Sequence, residues 1–132
     1  MSRYVRIDTQ LRDLAEVDAA LRSLGATPTL ADEPAGLMLQ GSLECAGEPV
    51  DLRLEAGAFG SVEDLGLRRE ASGELVLICG EPDREHLAVH LLAPLRVAIA
   101  RARAERAAER EGLAVDAVAD EHGVVRLHLR RR

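Results

Sequence analysis

The chain contains no lysine and no tryptophan, and its aromatic residues amount to 2%, Tyr4 and Phe59. A core without aromatics must be filled by Leu, Val, Ile and Ala. A single tyrosine cannot form the stacking platform on which RNA-binding sheets hold their bases. With a net charge of −6, general nucleic-acid binding is disfavoured as well. Cysteine is scarce: Cys45 and Cys79 stand far apart without local partners, which argues against a disulfide framework or a thiolate metal site. No apolar run is long enough to span a membrane, and the opening Met-Ser-Arg-Tyr-Val-Arg-Ile-Asp lacks the apolar core of a signal peptide. The expectation is a cytoplasmic protein, folded as one domain over residues 1–132. Gly57-Ala-Phe-Gly60 is followed by neither lysine nor a helix-opening signature, so no phosphate loop and no cofactor is expected.

What is present is strongly patterned. Hydrophobic residues make up 47% of the chain, too many for a disordered one. Charge is divided unevenly: residues 1–100 carry −8 and residues 101–132 carry +2. The organising stretch runs from Asp83 to Gly112. Acids gather at its start (Glu81, Asp83, Glu85) and arginines at its end (Arg101, Arg103, Arg106, Arg110), as a helix dipole favours. Leu87, Leu91, Leu95, Ala98 and Ala102 recur every three or four residues and define one apolar stripe, widened by Val89, Leu92, Val97 and Ile99. Pro94 has no N–H for the carbonyl of His90, which predicts a kink or break there.

In chain order, Arg3 to Asp8 alternates as a half-buried strand, and Thr9 is a candidate N-cap for a helix carrying Leu14, Val17, Leu21 and Leu24. Gly25 ends that helix. Strands follow at Leu37 to Leu43, Val50 to Glu55 and Leu65 to Arg68, then the unbroken apolar run Leu75-Val76-Leu77-Ile78, which belongs inside a sheet. After the long helix, Ala114 to Ala119 and Val124 to Arg130 form a last hairpin about the turn at His122-Gly123. The reading is an α+β fold in the order β-α-β-β-β-β-α-β-β. Its antiparallel sheet has five to seven strands, two helices pack on one face, and the other face stays open.

Both ends of the chain carry a family resemblance. Met-Ser-Arg-Tyr-Val-Arg-Ile-Asp-Thr-Gln-Leu-Arg-Asp-Leu leads into Ala-Leu-Arg-Ser-Leu-Gly at 20–25. The close has Glu-Gly-Leu-Ala-Val at 111–115 and Gly-Val-Val-Arg-Leu-His-Leu-Arg-Arg at 123–131. These segments resemble the hypothetical chloroplast open reading frame thirty-five family of plastids and cyanobacteria, a domain of unknown function with bacterial members. The chain departs from it in having Arg3 where members carry histidine, and in lacking the several aromatics that members carry in the middle and in the long helix. The resemblance implies an accessory or adaptor role beside a protein partner, with an AAA-class ATPase as the natural candidate.

Two constellations stand out. His86 and His90 are spaced i, i+4, so two imidazoles can share a metal, and a small metal-dependent enzyme is the alternative function. The general-base glutamate of a zinc protease is missing after His86, where Leu87 stands, and no third ligand is placed. The other constellation lies on the sheet. If Val5, Ile7, Val50, Leu52, Leu54, Leu65, Leu67, Val125, Leu127 and Leu129 face the helices, then Arg6, Arg53, Arg68, Arg126, His128 and Arg130 share the opposite face. Planar guanidinium groups there suit an acidic docking partner. The paired acids Glu63-Asp64 read as a solvated loop.

Overall fold

A computed structural model describes residues 4–34, 36–41, 46–119 and 125–131. Its main sheet is antiparallel and five-stranded. Strand β1 (Tyr4–Leu11) is at one edge, followed by β7 (Leu75–Gly80), β6 (Leu65–Arg69), β5 (Leu52–Leu54) and β2 (Thr29–Leu30) at the other edge. The fold is α+β, as expected, but the remaining strands do not extend this sheet. β3 (Leu37–Met38) pairs with β4 (Pro49–Val50), and β8 (Leu113–Ala119) pairs with β9 (Val125–Arg131), each as a separate two-stranded ribbon. The turn between β8 and β9 lies outside the described residues, as does the Ser42–Cys45 stretch after β3.

Helix α1 (Leu14–Ser23) starts four residues later than a Thr9 cap implies. Its N-cap is Asp13, whose carboxylate accepts from the amide of Glu16 at 3.2 Å. Thr9 is fully buried within β1. Its hydroxyl donates to the carbonyl of Leu75 at 2.6 Å and accepts from the amide of Leu11 at 3.1 Å. It therefore secures a β-bulge between Asp8 and Leu11, where Gln10 takes φ 63°.

The long helical stretch begins with α2 (Arg84–Leu87), widens into one π-helical turn at Ala88–Leu92, and continues as α3 (Ala93–Arg110) with Pro94 in its first turn. Widened turns of this kind are a recognised way of accommodating an interruption in i→i−4 bonding. The extra residue also lets Leu91 and Leu92 both point inward. Val89 and Val97, which helical periodicity assigned to the stripe, are exposed instead.

Leu87, Leu91, Leu92, Leu95 and Ile99 join Val17 and Leu21 of α1 in covering one face of the sheet, against Leu52, Leu54, Leu65, Leu67, Leu75, Leu77 and Cys79. The opposite face is not open. Leu39 and Val50 pack with Val76 and Ile78 in a second cluster, edged by Tyr4 and Leu37. The β3–β4 ribbon thus closes over the sheet, and β7 is buried on both sides. Gly66 permits the close approach, because a Cβ there would lie 2.6 Å from the Val50 side chain and 2.7 Å from the Leu52 carbonyl.

Candidate functional site

The six residues expected to share one face are split between two places. Arg6, Arg53 and Arg68 lie on the main sheet, whereas Arg126, His128 and Arg130 lie on β9, which pairs only with β8. The alternation along each strand is compatible with one sheet, but the pairing is not, so the described strands form no continuous arginine face.

Even the sheet half does not offer free cations. Arg6 pairs with Glu70. Arg68 donates to Glu48 at 2.6 Å and to the Pro49 carbonyl at 3.3 Å. Arg53 donates to the carbonyl of Met38 at 3.1 Å, and on β9 Arg130 holds Asp116 at 2.8 Å. Carboxylates of Glu70, Glu48 and Asp116 thus lie against the guanidinium groups of Arg6, Arg68 and Arg130, which weakens their pull on an acidic partner.

Beside Arg53 lies a hollow of about 420 Å³. It is walled by Gln40 and Gly41 after β3, by Arg53, Glu55 and Ala56, and by Val62, Glu63 and Asp64 of the loop before β6. Two buried carboxylates set its shape. Asp64 accepts from the amides of Gln40 at 2.6 Å and Gly41 at 2.9 Å and faces the Tyr4 hydroxyl at 3.4 Å. Asp83, just ahead of α2, accepts from the amides of Val62 at 2.8 Å and Glu63 at 3.1 Å. Asp64 is therefore not a solvated loop acid. It ties one wall of the hollow to the other, and buried carboxylates are held in this way by backbone donors.

The wall of the hollow exposes one large apolar side chain, Val62, at 73% accessibility. Sequence reading missed it, because Val62 lies in a loop and belongs to no readable period.

His86 and His90 do come together, with ring centroids 4.2 Å apart and planes 29° apart. The rings stack, however, and His86 Nε2 lies 2.8 Å from the carbonyl of Phe59, to which it donates. Phe59 sits in a short turn at φ 53°. No grouping of three or more His, Cys, Asp or Glu able to hold a metal is present among the described residues. Cys79 is buried, and desolvation, reinforced by the neighbouring Asp83 carboxylate, pushes its thiol up to about 11. Among the described residues no helix is long and apolar enough to cross a membrane. No family model matches the chain, and neither a curated protein nor a solved structure matches it.

Proposed function

We propose that this chain is a non-enzymatic protein-binding domain that docks a partner over the hollow beside Arg53. The observation that carries this reading is that Arg53 and the exposed side chain of Val62 line the same hollow. Arginine is enriched at interface centres, where apolar contact surrounds a few directed polar groups. The hollow also contains Glu55, Glu63 and Asp64 against its single guanidinium. Such a balance favours a partner segment that places an apolar side chain beside a cation, rather than the acidic segment suggested by the sequence. An AAA-class ATPase, implied by the resemblance at the chain ends, is the first partner to test.

The test is affinity capture from native cell extract, comparing the wild type with Arg53→Glu combined with Val62→Asp. Both side chains lie outside the buried clusters, and surface changes of this kind usually shift stability by only about 0.5 kcal/mol. The double variant should lose its partner while melting close to the wild type. Arg126→Glu with Arg130→Glu, on the separate hairpin, should retain it. Equal capture by wild type and Arg53→Glu/Val62→Asp would remove the hollow from consideration.

A further inference from the structure

Strand β1 is an edge strand. It pairs with β7 on one side, and no other described strand pairs with its outer side. The outer side of an edge strand is a template for strand addition unless something blocks it. The bulge at Asp8/Leu11 blocks the C-terminal end, but Tyr4 to Asp8 is regular. Along that regular part Val5 and Ile7 are only half-buried on the helix side, while Arg6 and Asp8 are exposed on the other. Arg6 reaches Glu70, and Asp8 has no charged partner among the described residues.

We infer that the outer edge of β1 pairs antiparallel with the same edge of a second copy, about a two-fold axis centred on Ile7. The register follows from charge and face. With Ile7 opposite the partner's Ile7, Arg6 lies opposite the partner's Asp8, and Asp8 opposite the partner's Arg6; Val5 falls opposite the partner's bulge at Thr9, so the regular pairing runs from Arg6 to Asp8 of each copy. Opposite charges placed directly across an antiparallel pair attract, and like charges repel. A slip that centres the pair on Arg6 sets two guanidinium groups face to face, and one centred on Asp8 sets two carboxylates face to face. An intermediate slip turns the second copy over, bringing its charged face beside the apolar edge formed by Val5 and Ile7. The Arg-x-Asp spacing is thus complementary to itself in one register and repulsive in both even-numbered neighbours. The outcome is two five-stranded sheets joined into one, with both helical layers on the same side. This interface is separate from the hollow beside Arg53, so either proposal can fail alone.

The test uses sedimentation velocity at concentrations from about 1 μM to about 1 mM, the range in which weak complexes populate. The wild type should show a concentration-dependent monomer–dimer equilibrium. Arg6→Asp places acid opposite acid, and Asp8→Arg places base opposite base, so each alone should dimerise roughly tenfold more weakly. Mixed together, the two variants restore both opposite-charge pairs and should form the heterodimer at about the wild-type affinity. Circular dichroism melts of each variant confirm folding, and the recovery on mixing cannot arise from a misfolded partner. A wild type that stays monomeric throughout, single variants that dimerise as well as the wild type, or a mixture no tighter than its components would each overturn the inference.

Discussion

The backbone amide of Val62 donates to the buried carboxylate of Asp83 at 2.8 Å. With the adjoining bond from Glu63, this contact ties the loop forming one wall of the hollow to the first residues of the long helix. Removing the carboxylate leaves two amides without their acceptor at a buried site, and hydrogen bonds to a charged group contribute about 1.5–3 kcal/mol. Asp83→Ala should therefore lower the unfolding free energy by about 2 kcal/mol, with a melting point several degrees lower. Asp83→Asn, which keeps one acceptor, should lose less. Amide exchange at Val62 and Glu63 gives the local readout: it should accelerate in Asp83→Ala beyond the change seen in the core strand Leu75–Gly80.

Parts of this arrangement were legible from sequence, for physical reasons that particular residues illustrate. The run Leu75-Val76-Leu77-Ile78 has no polar position, and a strand covered on both faces needs none. Gly25 ends α1, where the Ala26 amide closes onto the Leu21 carbonyl at 3.0 Å. What alternation cannot report is which strands pair. Arg126 and Arg53 alternate with leucines in the same way, yet they belong to different sheets. Nor can it report which turn acids fold back. Glu48 and Asp64 look like solvent-facing carboxylates until the ribbon Leu37–Met38/Pro49–Val50 closes over the sheet and brings them against Arg68 and the amides of Gln40 and Gly41, while Glu70 in the turn after Leu65–Arg69 meets Arg6 across the sheet. Thr9 shows a third limit. A hydroxyl between a strand and a helix serves a cap or a bulge equally well, and only the register decides.

A second prediction concerns the junction of α1 with α3. Arg103 holds Glu16 through two hydrogen bonds, at 2.8 and 2.5 Å, and Arg106 adds a third at 3.2 Å. The hydrogen bond from Arg103 is the main cause that keeps the Glu16 carboxyl below its ordinary value, with the positive charges of Arg103 and Arg106 adding to it and partial burial opposing them. A carboxyl lowered on folding contributes stability above its unfolded-state value, and that contribution is lost as pH falls through the folded-state value. Thermal melts of wild type and Arg103→Leu should differ at neutral pH, with the wild type higher. The gap should be modest, because the arginine side is solvent-screened. It should close as the pH drops below the ordinary glutamate value near 4.3. A gap that persists unchanged in acid would mean that the loss came from packing rather than from the ion pair.

The last prediction concerns the histidine pair. Two imidazoles at i and i+4 share a metal only when a nitrogen of each points to one common position. Here the rings lie face to face, 4.2 Å between centroids, and His86 commits Nε2 to the Phe59 carbonyl. That bond requires the proton on Nε2, which leaves only Nδ1 of His86 as a lone-pair donor for a metal. Releasing it would also free a turn in which Phe59 already holds a left-handed backbone angle of φ 53°, and a third protein ligand would still have to come from elsewhere. Zinc should therefore leave the melting temperature of tag-free protein unchanged. The measurement discriminates well: at a free concentration of 100 times Kd, a site present only in the folded state would add about 2.7 kcal/mol. For a domain of this size that is a rise of several degrees. A rise of that order, abolished by His90→Ala and by chelator, would restore the metal-dependent reading and place its first two ligands at His86 and His90.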